Sequence, residues 1–317
     1  MSEEKRHQFR IALAFAAVYV LWGATYLAMR VAVGQIPAYV LGAVRYGIAG
    51  PLMLAWCALA GKKVRITRRD ALRLLAIGIL LLSVANMGVA GAEEYVPSGL
   101  AALIVAGVPI WVAIVEAWIF RSRRLSTMGL AGLALGIIGL LVLLWPKISG
   151  AHLDQLELMG FGILVMASVS WALGSVLSGR WSLSVDIFTA SAWEMTLAGA
   201  INGLVALVTG RFHHVVWTSH GVLAIVYLVI GGSWIGFTAY IWLLEHVPTP
   251  KVATYAYVNP VVAVCLGWLF LNEKVDLYML IGTVIIISAV ALVNLSKLRA
   301  LKGGAGVLSA VEPAGDD

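Results

Sequence analysis

The chain has 317 residues, of which 61% are apolar and only 12% are charged, and its net charge is +6. Because a soluble domain typically carries about 25% charged residues, this composition excludes an ordinary water-soluble protein. The basic residues are sorted among the loops between apolar stretches, as in membrane proteins, so the positive charge does not indicate a nucleic-acid partner. The composition therefore predicts an all-α integral membrane protein.

Ten apolar stretches follow one another along the chain. Each is close to the length of about 20 residues that a helix needs to cross a bilayer. A short segment, 1–8, precedes them, and a tail rich in Gly and Ala, 297–317, is predicted to be cytoplasmic and disordered. The predicted spans cover residues 9–32, 38–60, 71–92, 98–120, 127–146, 158–179, 187–209, 220–244, 250–271 and 276–296.

The distribution of lysine and arginine predicts the orientation of the spans. With the N-terminus in the cytoplasm, the opposite side holds only Arg30, Lys147, Arg211 and Lys274 of the 22 basic residues, and Arg45 lies within a span. Cytoplasmic loops of membrane proteins carry an excess of Lys and Arg. We therefore expect a multi-pass protein of the cell (inner) membrane with both termini in the cytoplasm.

The second half of the chain repeats the first at an offset of about 150 residues. Trp22 then aligns with Trp171, and Arg45 aligns with Glu194. Five spans per half is an odd number, so the second half must enter the membrane from the opposite side, and such inverted repeats are typical of secondary transporters. The predicted domains are a first five-helix repeat at 9–146, a loop at 147–157 and a second five-helix repeat at 158–296.

The turn Phe270-Leu-Asn-Glu-Lys274 and four motifs within the predicted spans resemble those of the EamA-type transporters of the drug/metabolite transporter superfamily. The turn that matches the family's acidic turn, Phe270-Leu-Asn-Glu-Lys274, has a basic counterpart in the first half, Phe120-Arg-Ser-Arg-Arg124, which departs from many relatives. The resemblance implies ten spans, a central cavity shared by both halves, and transport of small metabolites, often outward. The other motifs are Leu21-Trp-Gly-Ala-Thr-Tyr26, Val96-Pro-Ser-Gly-Leu-Ala-Ala102, Ser170-Trp-Ala-Leu-Gly-Ser175 and Tyr255-Ala-Tyr-Val-Asn-Pro260.

Charged residues inside predicted spans are candidates for function, because a charge in the membrane is costly. Arg45 and Glu194 occupy equivalent positions in the two repeats. They are predicted either to form an ion pair that locks the halves together or to serve as a substrate or proton site. Glu116 is a candidate for proton coupling, since a carboxyl group in a low-dielectric site has a raised pKa. The alternative for Glu116 is a polar crevice without function.

Aromatic and polar side chains on the spans are candidates for the wall of a substrate cavity. Tyr19, Trp22, Tyr26 and Arg30 share one helical face. Pro109 and Pro260 are predicted to kink their helices and are candidate hinges. The alternative is a lipid-facing or packed position for the aromatic residues, solvation at the headgroup level for Glu93, and a simple bend around a neighbouring helix for the prolines. The predicted substrate-binding residues are Trp22, Tyr26, Asn86, Glu93, Trp111, Trp171, Trp234, Tyr255, Tyr257 and Asn259.

We therefore predict a secondary transporter that exports a small organic metabolite, amino-acid-like or drug-like, by alternating access around a midplane cavity. A passive channel and an intramembrane enzyme are the alternatives, although the chain lacks the common catalytic and nucleotide-binding motifs. No cofactor or metal is expected. The expected partners are the substrate, membrane lipid, and protons or an exchanged metabolite. An oligomer is left open.

Overall fold

The computed structural model describes residues 3–121, 126–149, 154–247, 252 and 255–309, and every regular element within these ranges is helical. The chain turns back between successive helices through short segments. The main helices are α1 (Glu3–Ala17, Val18–Trp22 and Gly23–Val33), α2 (Ala38–Leu59), α3 (Arg68–Gly78, Ile79–Asn86 and Met87–Ala92), α4 (Ser98–Val105, Val108–Ile114 and Val115–Ile119), α5 (Thr127–Ser149), α6 (Gln155–Arg180), α7 (Ile187–Val208), α8 (Ser219–Tyr227, Leu228–Gly236 and Phe237–His246), α9 (Tyr255–Leu271) and α10 (Leu277–Ser309).

Helices α1 to α8 are long and apolar enough to cross a membrane. The ninth and tenth contain shorter apolar helices, Val258–Leu271 and Leu277–Val293. The prediction of an all-helical membrane protein is confirmed for the described residues. Eight spans follow from length and composition, and the predicted total of ten stays a prediction.

Four of the helices contain a π-helical segment, in which the turn is wider than in an α-helix. These segments are Val18–Trp22 in α1, Ile79–Asn86 in α3, Val115–Ile119 in α4 and Leu228–Gly236 in α8. Those of α3 and α8 occupy equivalent positions in the two repeats. Because π-helical segments occur frequently at functional sites, these four helices are the first place to look for one.

Small residues allow two helix pairs to approach closely. In the pair α2 and α7, a Cβ added at Gly199 would lie 2.6 Å from the backbone nitrogen of Gly47, and one added at Gly50 would lie 2.5 Å from that of Thr196. In the pair α5 and α10, Gly139 packs in the same way against Ile286. Close approach through small residues is how helices associate in lipid, where the hydrophobic effect does not drive them together.

The two predicted hinge prolines lie in different local structures. Helix α4 is interrupted at Ala106–Gly107, and Pro109 stands in the first turn after the interruption. The backbone N–H of Gly107 donates to the carbonyl of Ile104 at 3.1 Å, which tightens the chain at the break. Pro260 lies within the helix α9 and is buried. Whether either proline acts as a hinge stays a prediction.

The segments that join the helices gather at two opposite ends of the bundle. We call one the Glu93 end, where the segments 34–37, 93–97, 209–218 and 272–276 lie. Its contacts include the bond of 2.9 Å from the N–H of Val216 to the carbonyl of Gln35. We call the other the Lys62 end, where the segments 60–67 and 181–186 meet. There the Trp193 indole N–H donates to the carbonyl of Val64 at 2.9 Å.

Candidate functional site

A polar network around Arg45 connects three helices inside the bundle. Arg45 is only 6% exposed, and its Nε donates to the Ser233 hydroxyl of α8 at 3.1 Å. Its Nη1 donates to Oδ1 of Asn86 on α3 at 3.2 Å, and the same oxygen accepts from the Tyr46 hydroxyl at 2.8 Å. Two of the helices therefore contribute their π-helical segments to this network, which we call the Arg45 site.

Tryptophan and tyrosine side chains donate to backbone carbonyls around the Arg45 site. The indole of Trp22 donates to the carbonyl of Gly232 at 3.1 Å, and that of Trp234 donates to the carbonyl of Ala49 at 3.2 Å. The Tyr227 hydroxyl donates to the carbonyl of Leu21 at 2.9 Å. These bonds tie α1, α2 and α8 together and fix the orientation of the rings.

Three aromatic rings from α1, α8 and α9 pack against each other beside the Arg45 site. The ring centroids of Trp22 and Tyr240 are 5.0 Å apart, those of Trp22 and Tyr255 are 5.2 Å apart, and those of the two tyrosines are 5.7 Å apart. The amide nitrogen of Asn259 faces two backbone carbonyls, and it donates to those of Tyr19 and Tyr255, each at 3.2 Å. This aromatic cluster joins α1, α8 and α9.

Glu93 is a fully buried carboxylate at the Glu93 end. It is 0% exposed, and neither of its oxygens has a hydrogen-bond partner among the described residues. Burial raises the pKa of Glu93 well above its usual range, the positive charge of Arg30 opposes this shift, and the negative charge of Glu273 adds to it. Glu93 also acts electrostatically on the predicted site residue Tyr26, so the two lie near each other. A carboxyl group in such a place favours its protonated form.

Glu273 caps α4 at the same end. Its Oε1 accepts from the backbone N–H of Ser98 at 2.7 Å and from the hydroxyl of Ser98 at 2.8 Å. Its Oε2 accepts from the N–H of Gly99 at 3.0 Å. A carboxylate at a helix N-terminus satisfies unpaired N–H groups and is favoured by the helix dipole. The three bonds join the segment 272–276 to the first turn of α4.

Polar contacts between the segments 60–67 and 181–186 close the Lys62 end. Lys62 Nζ lies 3.1 Å from Asp186 Oδ1, and the Ser184 hydroxyl donates to Asp70 at 2.5 Å. Burial alone would raise the pKa of Asp186, but hydrogen bonds from Thr189 and from the charged Lys62 hold it below its usual range. The contacts connect the first repeat to the second.

Glu116 lines a cavity of about 300 Å³ between α4 and α6. The cavity opens near the Lys62 end, where Arg180 terminates α6. The guanidinium of Arg180 lies 4.4 Å from the ring centroid of Phe120. The structure thus places Glu116 in a polar crevice. The proton-coupling role of Glu116 stays a prediction.

The structure does not bring Arg45 and Glu194 within ion-pair distance, and the helix register gives the reason. Gly47 packs opposite Gly199, so Arg45 is level with residue 201, seven residues further along α7 than Glu194. At 1.5 Å per residue this separates the two backbone positions by about 10 Å along the helix axis. The structure therefore shows no ion pair between Arg45 and Glu194, and a functional role for either residue stays a prediction.

The remaining predicted site residues lie apart from the Arg45 site or outside the described side chains. Trp111 packs with Val115 and Ala172 in a small core between α4 and α6. Trp171 packs against the main hydrophobic core. The side chain of Tyr257 lies outside the described residues.

Sequence reasoning missed residues that join the site from distant helices. Ser233 and Tyr240 on α8 have no charge or motif that marks them in the sequence. A signal for Ser233 existed, because it aligns with Ser83 when the halves are superposed, and Ser83 has a buried hydroxyl without a described partner. Glu273 belonged to a motif of the resemblance, but its contact with Ser98 needs the tertiary structure.

Comparisons with known proteins agree with this architecture. The model of the EamA-like transporter family matches residues 9–145 and again residues 158–295. The chain belongs to the EamA-like transporter family. The resemblance seen in the sequence is thereby confirmed, and the protein is a multi-pass membrane protein built from two copies of the EamA unit.

Relatives of this EamA protein cover nearly its whole length. It is 36% identical over 286 residues to a protein of Escherichia coli (strain K12) named uncharacterized inner membrane transporter YedA, covering 90% of each chain. It is 23% identical to the uncharacterized transporter YoaV of Bacillus subtilis (strain 168), covering 87% of this chain and 94% of the relative. A solved crystal structure with 22% identity superposes with a TM-score of 0.65 over 92% of this chain and 98% of the other, which supports the fold.

Proposed function

We propose that this EamA protein is a secondary carrier that exports a small organic metabolite across the cytoplasmic membrane by alternating access. Ten crossings in two inverted repeats would place both termini in the cytoplasm, with the Lys62 end facing the cytoplasm and the Glu93 end facing the opposite side. The excess of lysine and arginine at the Lys62 end supports this orientation.

The observation that carries the proposal is that a repeat-equivalent residue at each end, Ser184 or Gln35, bonds to the N-terminal turn of a repeat-equivalent helix, α3 or α8, although the partners there, Asp70 and Thr218, are not equivalent. At the Lys62 end, Ser184 bonds to Asp70 in the first turn of α3, which Thr67 caps. At the Glu93 end, the equivalent of Ser184 is Gln35, which bonds to Thr218, the cap of α8. A carrier needs a gate at each end, whereas a channel needs only one, so two related gates favour a carrier.

The two ends differ in the polar contacts that hold them closed. The Glu93 end has the additional carboxylate cap from Glu273 to Ser98. The repeat-equivalent turn of the first half, residues 121–125, contains arginines and no acidic residue, so it has no carboxylate to offer. For export, the Lys62 end would open to load substrate from the cytoplasm, and the ion pair between Lys62 and Asp186 would separate.

Counterflow in proteoliposomes tests the carrier function. Vesicles holding the purified protein are preloaded with a mixture of unlabelled amino acids and organic acids and then given the same compounds with isotopic labels outside. A carrier shows transient, saturable accumulation of a labelled compound. Flux without saturation or counterflow would indicate a channel, and conversion of a compound without flux would indicate an enzyme.

A further inference from the structure

Arg45 carries a buried positive charge that no described carboxylate neutralises. It is the only lysine or arginine among the described residues that is buried, and it lies seven residues inside α2. Its hydrogen bonds go to the neutral oxygens of Ser233 and Asn86. The Glu194 backbone is displaced by about 10 Å along the helix axis. A buried charge without an opposite charge is strongly unfavourable, so a counter-charge from outside the protein would be bound well here.

The neighbours of Arg45 orient the guanidinium and leave one of its nitrogens without a hydrogen bond to a described residue. Ser233 holds Nε and Asn86 holds Nη1, while the described residues give the third nitrogen, Nη2, no hydrogen bond. Gly232 faces that nitrogen, and a Cβ added to the glycine would lie 3.1 Å from Nη2. An arginine fixed in this way presents a planar set of N–H donors that matches the two oxygens of a carboxylate.

The second repeat does not reproduce this positive site. The equivalent of Arg45 is Glu194, and the equivalent of Ser233 is Ser83, whose buried hydroxyl has no described partner. If the site consisted only of neutral polar residues shared by the two repeats, the pseudo-twofold axis would place the same site in both halves. The positive charge is present in one only, so the Arg45 site is specific to one side of the pseudo-twofold axis.

We propose that the transported metabolite carries a carboxylate group that binds the guanidinium of Arg45. This inference rests on the proposed carrier function. Trp22 borders the site, because its indole donates to the carbonyl of Gly232, the residue that faces Nη2. The apolar part of the metabolite packs against this ring. A carboxylate can belong to an organic acid or to an α-amino acid, and the experiment separates these sources.

Counterflow with matched probes tests the inference. The probes are phenylalanine and leucine, the 2-oxo acids derived from them, their amides, and the amines that result from loss of the carboxyl group. The wild-type protein is expected to exchange carboxylate probes and to reject the amides and amines. Preference for the amino acids over the 2-oxo acids identifies a zwitterionic substrate, and the reverse preference identifies an organic acid.

Two substitutions at Arg45 and one matched control give the test its specificity. Arg45→Gln removes the charge and is expected to raise the KM for carboxylate probes about 100-fold, as loss of a charge-assisted double hydrogen bond implies. Arg45→Lys keeps the charge but loses the planar donors, so an intermediate KM is expected. Arg69→Gln removes one positive charge from an exposed position of α3 and is expected to leave the KM unchanged.

The outcomes distinguish the substrate class from the carrier function. Counterflow of amides or amines alone, or carboxylate counterflow that Arg45→Gln retains, overturns the carboxylate site and leaves the carrier intact. Absence of counterflow for every probe and for the mixture of amino acids and organic acids described above overturns the carrier function. In that case the thermal shift of the detergent-purified protein decides the Arg45 site. Stabilisation by phenylalanine or phenylpyruvate that is lost in Arg45→Gln and reduced in Arg45→Lys supports the site, and equal shifts in all three proteins overturn it.

Discussion

Replacing Glu273 by alanine should open the Glu93 end at the first turn of α4. The substitution removes three hydrogen bonds of 2.7, 2.8 and 3.0 Å to Ser98 and Gly99. At about 1.5 kcal/mol for each bond, the low end of the range for bonds to charged groups, the three bonds contribute about 4.5 kcal/mol. Glu273 is half-buried and water replaces part of the loss, which leaves about 2–3 kcal/mol.

Hydrogen–deuterium exchange of the protein in lipid nanodiscs measures this effect. If local opening of α4 costs about 2–3 kcal/mol less in Glu273→Ala than in the wild type, the Ser98 and Gly99 amides exchange about 30- to 150-fold faster in the variant. Asp276→Asn is the matched control, because Asp276 caps α10 through the N–H of Met279 at 2.7 Å and is not part of the α4 cap. Equal exchange at α4 in Glu273→Ala and in the wild type would refute the role of this cap.

Three further predictions concern other parts of the bundle. Burial raises the pKa of Glu93 in the folded state, so the protein loses stability as the pH rises from the usual glutamate pKa towards the raised one. Glu93→Gln should remove this loss, as measured by thermal unfolding between pH 5 and 8. Gly199→Ala should lower stability by about 1–3 kcal/mol, because its Cβ would lie 2.6 Å from the Gly47 nitrogen, whereas Gly162→Ala, with nothing within 4 Å, should not. Asp186→Asn should lower stability by at most about 1 kcal/mol above pH 5, because the pKa of Asp186 is held below its usual range.

Each of these predictions has a contrary result. A wild-type pH profile that Glu93→Gln reproduces would show that the carboxyl group is solvated. Equal melting temperatures for Gly199→Ala and Gly162→Ala would contradict the close packing of α2 and α7. A loss in Asp186→Asn that stays constant as the pH falls and the wild-type carboxylate takes up its proton would assign the effect to something other than the charge.

The membrane character and the family could be predicted from the sequence because both rest on local patterns. Runs of apolar residues predict helices that cross a membrane, and the motif Leu21-Trp-Gly-Ala-Thr-Tyr26 lies in one segment of chain. The α1 helix is nevertheless longer than predicted, since it begins at Glu3. A hydropathy pattern marks the apolar stretch that crosses the membrane, but it does not mark where a helix continues into water. The pattern therefore predicts the span more accurately than the ends of the helix.

The partners in the candidate site could not be predicted, because they depend on how distant helices pack. Arg45 and Glu194 were the obvious pair by charge and symmetry, but the glycine contacts between α2 and α7 set a register that keeps them apart. Arg45 instead bonds to Ser233, a residue 188 positions away. The burial of Glu93 likewise follows from tertiary packing, since its position at the end of α3 suggests solvation.

The central claim, that both ends must open in turn, is tested most directly by cross-linking each end. In a variant lacking both native cysteines, Gln35 and Thr218 are replaced by cysteine at the Glu93 end, or Asp70 and Ser184 at the Lys62 end. Mercuric ion joins each pair, and dithiothreitol releases it. Alternating access predicts that either cross-link abolishes counterflow in proteoliposomes and that release restores it. Counterflow that continues with one end cross-linked would contradict the account.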